Sequence, residues 1–172
     1  MELENIRRSY RPNRITVLFV GESPPHGGTF FYCQNSRLFS YTVEAFRRAF
    51  RPDIREEQFL SMFMRAGCYL EDLSLAPINH LSKPERRKAR SAAVGQFRKR
   101  AKAASPEAVV CLMKGIAKLV REAVNGAGFA TVPFEAVPFP AMGHEQEYVA
   151  ELSPILRCLA ADGRLGTVWD AT

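Results

Sequence analysis

The chain has 172 residues, of which 47% are hydrophobic, and it carries a formal charge of +6 at pH 7. This size and composition predict one domain, residues 1–172, whose core needs no disulfide or metal to fold. No apolar run approaches the roughly 20 residues of a membrane span, and the first residues lack the apolar core of a signal peptide, so we expect a cytoplasmic protein.

The four cysteines, Cys33, Cys68, Cys111 and Cys158, are isolated from one another. None belongs to a Cys-x-x-Cys pair, which argues against a zinc or iron-sulfur site. We therefore expect neither a metal nor another cofactor.

Residues 15–20 are apolar and largely β-branched, and they predict the first strand. The turn at residues 21–28 follows and contains Glu22 between a glycine and two prolines, Pro24 and Pro25. This pattern presents one acid on a rigid turn at the carboxyl end of a strand, where open α/β folds bind ligands.

The aromatic residues Phe30, Phe31 and Tyr32 come after this turn. Two interpretations remain open. These side chains could stack on a planar substrate, or they could simply belong to the hydrophobic core.

Helices and strands alternate along the rest of the chain. Helices are predicted at 40–50, 56–65, 83–104, 115–125 and 145–161, and further strands at 68–73, 108–112 and 129–137. Four strands separated by helices predict a parallel sheet with right-handed crossovers. The carboxyl ends of its strands would bring Glu22, Asp72, His80 and His144 toward one edge.

The predicted helix at 83–104 carries most of the excess positive charge, with Ser82 as its cap and Pro84 in its first turn. Glu85 is the single acid in this run, whose basic residues are Lys83, Arg86, Arg87, Lys88, Arg90, Arg98, Lys99, Arg100 and Lys102. Such a run is either a solvated helix face or a surface that contacts phosphates.

The segment Gly21-Glu22-Ser23-Pro24-Pro25, the aromatics after it and the Pro/His loop after the last strand resemble the uracil-DNA glycosylase superfamily. The resemblance is closest to the family-four branch, whose first motif reads Gly-Glu-Ala-Pro-Gly. It implies a three-layer α/β/α sandwich around a four-stranded parallel sheet, and hydrolysis of the bond between a flipped base and its sugar in DNA. The cluster cysteines of family four have no counterparts here.

The resemblance also implies roles for individual residues. Glu22 would position or activate the attacking water, and Phe31, with Phe30 and Tyr32 as competitors, would stack on the base. Asp72 falls near the position where many relatives read the base edge with an Asn. An ionised carboxylate only accepts hydrogen bonds, so Asp72 would favour an exocyclic amine over a uracil carbonyl.

The family's late motif, His-Pro-Ser, is replaced here by Phe139-Pro140-Ala141. His144, four residues after the proline, is the candidate for stabilising the leaving base, although a histidine before a helix is also typical of a cap or surface position. Phosphate and DNA contacts are expected from Ser23, Pro24, Pro25, Ser36, Arg37 and Lys114.

These observations predict a monomeric DNA glycosylase of base excision repair that binds DNA. Two alternatives remain: a relative that binds nucleic acid without catalysis, and a hydrolase of free nucleosides or nucleotides. A metal site built from His26, His80 and His144 has no supporting spacing.

Overall fold

The computed structural model describes residues 2–169. Residues 1 and 170–172, the two ends of the predicted domain, lie outside the described residues. No helix within residues 2–169 is both long enough and apolar enough to span a membrane.

In the part of the chain that the structure describes, four parallel strands form the sheet, which confirms the predicted α/β class. The strands are β1 (Val17–Gly21), β2 (Cys68–Asp72), β3 (Ala108–Cys111) and β4 (Phe134–Ala136), in the order β2-β1-β3-β4. All residues of β1, β2 and β3 are buried, as expected for parallel strands covered on both faces.

Within residues 2–169, six α-helices connect and cover these strands. They are α1 (Glu2–Ser9), α2 (Arg37–Ala49), α3 (Glu56–Arg65), α4 (Lys83–Ala104), α5 (Ala117–Gly126) and α6 (Glu145–Ala161). Helix α2 packs against α6, and α4 packs against α5. The chain moves from β1 to β2 in one direction and from β2 to β3 in the other, so right-handed crossovers put α2 and α4 on opposite faces of the sheet.

An aromatic cluster fills the core beneath α2 and α3. Phe46 lies at its centre, and its ring centroid is 5.2 Å from that of Phe59 and 4.5 Å from that of Trp169. Trp169 is buried, so the end of the described chain is anchored in the same core.

Several element boundaries agree with the sequence prediction. Helices α3 and α6 have the predicted bounds. Helix α4 begins after Ser82, which forms a capping box with Glu85, and this reciprocal pairing satisfies backbone donors of the first turn.

Three parts of the prediction were wrong or incomplete. The strand predicted at 129–137 is restricted to Phe134–Ala136, because residues 129–132 form a turn and Pro133 has no N–H to donate to the sheet. Helix α2 begins at Arg37 rather than residue 40, since the Ser36 hydroxyl accepts a hydrogen bond from the Phe39 N–H. Helix α1 was not predicted.

Candidate functional site

A pocket of about 410 Å³ lies at the carboxyl ends of β1 and β2. It contains nine of the twelve residues to which the sequence analysis assigned a role in the site: Glu22, Ser23, Pro24, Pro25, Phe30, Phe31, Ser36, Arg37 and Asp72. Its size falls in the range of small-molecule sites, and its position is the expected one for a ligand in a parallel sheet.

Strand register explains why Glu22 and Asp72 meet in this pocket. Gly21 pairs with Asp72 across the sheet, and beyond the strands the Ser74 N–H donates to the Glu22 carbonyl over 2.9 Å. A side chain at position 21 would put its Cβ 2.5 Å from Asp72 Oδ1. Glycine is therefore required where the two strand ends approach each other.

Two arginines of α4 bind the Glu22 carboxylate. Arg86 Nε donates to Glu22 Oε1 over 2.7 Å and Arg86 Nη2 binds Oε2. Arg90 Nε donates to Oε1 over 2.5 Å, and Arg90 Nη2 also binds Oε1. Glu22 is only 7% exposed, so this carboxylate is held by two guanidinium groups inside the site.

Asp72 belongs to a second and deeper charge cluster. Arg7 of α1 is completely buried and donates to Glu71 Oε1 over 2.7 Å and to Asp72 Oδ2 over 2.6 Å. Arg100 of α4 donates to the Asp72 carbonyl over 2.7 Å. Burial raises the pKa of both Glu71 and Asp72, and the Arg7 guanidinium acts in the opposite direction.

The three predicted stacking aromatics lie in different surroundings. Phe30 and Phe31 both line the pocket, but each is nearly buried, and Phe31 packs edge-on against Phe39 with centroids 5.7 Å apart. The Tyr32 hydroxyl accepts from the Leu70 N–H and donates to the Leu70 carbonyl. Tyr32 therefore satisfies backbone groups of edge strand β2. Of the three aromatics, Phe30 and Phe31 form the pocket wall.

Phe139 is a further aromatic of the pocket that the sequence analysis did not assign to base binding. It is 37% exposed and lines the pocket from the loop that follows β4. A partly exposed ring needs little displacement to cover a planar ligand. Phe139 is thus a stacking candidate that is not already committed to the core.

Two asparagines add hydrogen-bonding groups to the pocket. Asn35 Oδ1 accepts from the Phe30 N–H over 2.7 Å, and Asn79 Oδ1 accepts from the His26 N–H over 2.9 Å. Because the amide oxygens are engaged, the NH₂ groups are the parts of these side chains that remain to donate to a ligand. The pocket therefore combines apolar walls with two amide donors and the carboxylate of Asp72.

The predicted phosphate contacts within the pocket differ in their availability. The Ser23 hydroxyl accepts from the Ile78 N–H, and the Ser36 hydroxyl caps α2. The side chain of Arg37 is 71% exposed and pairs with Glu145 over 3.1 Å. Pro24 is buried and Pro25 is half-buried, so among these residues Arg37 is the most accessible to an anion.

Two predicted site residues, His144 and Lys114, lie outside the pocket lining. His144 Nδ1 is 2.8 Å from Glu147 Oε2, and the histidine side chain is 57% exposed. Lys114 binds Glu151 over 2.7 Å, and this hydrogen bond raises the pKa of Lys114. Lys114 therefore forms an ion pair, and His144 a hydrogen bond, with glutamates of α6.

The other two histidines come together although they are distant in sequence. The ring centroids of His26 and His80 are 4.4 Å apart, and both residues are exposed. Within residues 2–169, no group of three histidine, cysteine or acidic side chains has a geometry that could hold a metal ion. His144 is paired elsewhere, so the three histidines do not form one cluster.

The basic residues of α4 divide into two sets. Arg86, Arg90 and Arg100 turn toward the strand ends and bind acidic side chains or carbonyl groups. The remaining basic residues on the solvent side are Lys83, Arg87, Lys88, Arg98, Lys99 and Lys102. The interpretation as a solvated face therefore holds for the outer residues of α4, the inner arginines enter the site, and contact with phosphates stays a prediction.

A wider depression of about 740 Å³ lies at the opposite edge of the sheet. It is formed by loops that precede β1, β3 and β4, and it contains none of the predicted site residues. Two of its arginines pair with neighbouring acids, Arg14 with Glu107 and Arg164 with Asp162. We therefore assign the candidate site to the pocket at the carboxyl edge.

The helical spacing of Arg86 and Arg90 is a sequence signal for their place in the site, which the sequence analysis missed. The residues that α4 buries most deeply are Phe97 and Ala101. Positions 86 and 90 precede them by eleven residues each, which is close to three helical turns and keeps all four on one face.

Comparisons with protein-family models and with curated proteins find no match for this chain.

Proposed function

We propose that this chain is a divergent member of the uracil-DNA glycosylase superfamily, which binds an extruded base in the Glu22 pocket and hydrolyses its N-glycosidic bond. The observation that carries the proposal is the meeting of nine predicted site residues in one pocket. The four-stranded parallel sheet agrees with the fold that the resemblance implies.

The lining of the pocket suits a flat heterocycle with a polar edge. Phe30, Phe31 and Phe139 supply aromatic walls, while Asn35 supplies an amide donor and Asp72 an acceptor. Stacking of a base on an aromatic side chain contributes about 1–3 kcal/mol, which offsets the few kcal/mol that base extrusion costs. A base that presents both a carbonyl and an amine would pair best with the Asn35 amide and the Asp72 carboxylate.

Glu22 is the group for the chemical step. When the bond between C1′ and the base nitrogen breaks, its electron pair leaves with the base and positive charge develops on the sugar. A nearby carboxylate stabilises that charge. It also accepts a proton as the water oxygen bonds to C1′.

Positive charge around the pocket supports a nucleic-acid substrate. Arg37 stands at the amino terminus of α2, where backbone N–H groups and the helix dipole favour anions. The exposed residues Lys83, Arg87 and Lys88 belong to the same end of α4 as Arg86. Together they offer phosphate contacts that are independent of sequence.

The test is an abasic-site assay on labelled oligonucleotides that contain uracil, hypoxanthine, xanthine or a deaminated mismatch, in single- and double-stranded form. We expect alkali-sensitive strand cleavage with at least one of these bases. Glu22→Gln should lower the rate by at least about 100-fold, the usual effect of removing a general base. Glu57→Gln is the matched control, because Glu57 is an exposed glutamate of α3 outside the pocket.

Two results would contradict the proposal. An absence of abasic sites on every substrate would exclude glycosylase activity on these bases. Cleavage that survives Glu22→Gln would exclude Glu22 as the catalytic carboxylate and move attention to Asp72.

A second candidate is a nucleic-acid-binding protein without catalysis. The observation that favours it is the double ion pair on Glu22, because Arg86 and Arg90 already bind the carboxylate oxygens that catalysis would need to contact water. Salt-dependent binding to DNA would support this function if neither the wild type nor Glu22→Gln releases a base from the bound DNA.

A further inference from the structure

Most of the acceptor capacity of the Glu22 carboxylate is engaged in the structure. Arg86 donates one hydrogen bond to each carboxylate oxygen, Arg90 Nε donates a second one to Oε1, and Arg90 Nη2 forms an ion pair with Oε1. An ionised carboxylate offers about four lone-pair positions. In this state Oε1 is fully occupied, and Oε2 has one position left for a water molecule.

The same contact leaves positive charge in excess. Two guanidinium groups face a single carboxylate, whereas in the neighbouring cluster Arg7 and Arg100 face the three carboxylates of Glu4, Glu71 and Asp72. The Glu22 cluster thus carries one net positive charge and the Asp72 cluster one net negative charge. An anion added to the first cluster would complete its charge balance.

The two arginines of α4 are also accessible. The side chain of Arg86 is 28% exposed and that of Arg90 is 19% exposed, whereas that of Arg7 is 1% exposed. Arg86 also lines the pocket. Positions 86 and 90 are one helical turn apart, so both planar forks point to the same place, and such forks match the oxygens of a phosphate group.

We infer that Arg86 and Arg90 form a phosphate-binding site, which Glu22 occupies in the free protein and which a substrate phosphate takes over on binding. The inference rests on the proposed function for the nature of the ligand. The phosphate oxygens replace the carboxylate oxygens as acceptors, so substrate binding frees the lone pairs of Glu22 that the two arginines engage in the free protein. The carboxylate is thereby activated by the substrate itself.

Competition between Glu22 and phosphate has a measurable consequence. When a site is free in only a fraction of the molecules, its apparent affinity falls by that fraction. Glu22→Gln removes the competing charge, so it should tighten phosphate binding by about five- to tenfold, within the usual range of coupling between two ligands. The gain should require both arginines.

The experiment is a double-mutant cycle measured by fluorescence anisotropy with a fluorescein-labelled single-stranded DNA of about 15 nucleotides, near the upper site size of single-strand binders. The proteins are the wild type, Glu22→Gln, the double variant Arg86→Gln/Arg90→Gln, and the triple variant. Glu57→Gln controls for the change in net charge. We expect Glu22→Gln to tighten binding about five- to tenfold with the arginines present and less than about twofold without them.

Each other outcome overturns the inference. Equal tightening in both backgrounds, or an equal effect of Glu57→Gln, would mean that Glu22 only repels DNA through its charge. No tightening in either background would mean that the arginines hold Glu22 for structural reasons. If the double variant does not fold by circular dichroism, Arg86→Lys/Arg90→Lys replaces it, since lysine keeps the charge but lacks the planar fork.

Competition with thymidine 5′-monophosphate and with thymidine identifies the source of the phosphate. Displacement of the labelled DNA by the nucleotide but not by the nucleoside, lost in the double variant, assigns the site to a free nucleotide. Displacement by unlabelled oligonucleotide alone assigns it to the phosphodiester backbone. Base release plays no part in these measurements, so a protein that fails the abasic-site assay still tests this inference.

Discussion

Two carboxylates at neighbouring strand ends, Glu22 after β1 and Asp72 at the end of β2, are both bound by arginine but in different ways. Asp72 is bound by Arg7, which is buried. Glu22 is bound by Arg86 and Arg90, which keep part of their side chains in solvent. The first arrangement is part of the core, and the second can exchange partners.

This difference follows from the helix to which each arginine belongs. Arg7 comes from α1, packs over the Phe30 ring at 5.3 Å from its centroid, and is buried. Desolvation lowers the pKa of a buried guanidinium, but the carboxylates of Asp72, Glu71 and Glu4 outweigh this effect and raise the pKa of Arg7. One pocket thus contains Asp72, whose partner is fixed, beside Glu22, whose partners can change.

The largest expected effect comes from Arg7→Met. This variant leaves Glu71 and Asp72 buried without their main counter-ion, and breaking a buried pair in this way costs about 3–5 kcal/mol. The free energy of unfolding, measured by urea titration, should fall by that amount. Arg8→Met is the matched control, because Arg8 is the exposed neighbour on the same helix and such surface changes stay within about 0.5 kcal/mol. Equal costs for the two variants would refute a structural role of Arg7.

The cost of Arg7→Met should also depend on pH. Burial already raises the pKa of Glu71 and Asp72, and loss of Arg7 removes the influence that opposes this rise. Native carboxyls with a raised pKa bind more protons than unfolded ones, so stability is present below the unfolded pKa of about 4 and is lost as pH rises through the native pKa. The difference in unfolding free energy from wild type should therefore be larger at pH 7.5 than at pH 5. A constant difference would show that the carboxylates do not cause the loss.

The contrast between Arg7 and the pair Arg86 and Arg90 also shows what the sequence could predict. The Glu22 turn, the order of elements and the cap of α4 by Ser82 depend on local patterns, and the sequence contains those patterns. The burial of Arg7 depends on acids 64 and 65 residues away. Arginine is rarely buried, so nothing in residues 2–9 alone indicates this position.

The candidate site was predictable to a similar extent. Most of the predicted pocket residues lie in one continuous segment, the turn and loop that follow β1, so a local sequence pattern was sufficient to predict them. The partners of Glu22 were present in the basic run, but charge alone could not separate Arg86 from Arg87, which is exposed. Only the helical spacing to Phe97 distinguishes the inward residue from the outward one.

Gly21→Ala tests how firmly Asp72 is held. The new Cβ would lie 2.5 Å from Asp72 Oδ1, and Asp72 cannot move aside while Arg7 holds its other oxygen. We expect a loss of about 1–3 kcal/mol, the usual cost of overpacking, in the same urea titration. Gly27→Ala is the matched control, since a Cβ at position 27 meets nothing within 4 Å. A neutral Gly21→Ala would mean that Asp72 yields easily and that the two acids differ less than their surroundings suggest.

The smallest effect is expected for Arg90→Gln. Glu22 keeps Arg86 in this variant, and a pair with a partly exposed arginine contributes about 1 kcal/mol or less. The loss of unfolding free energy should shrink further in 1 M salt, because exposed charges are screened over about 3 Å at that ionic strength. A loss as large as that of Arg7→Met, unchanged by salt, would mean that Glu22 and Arg90 are locked together like Asp72 and Arg7. A phosphate could not then displace the carboxylate, so stability alone would count against the exchange of partners at Glu22.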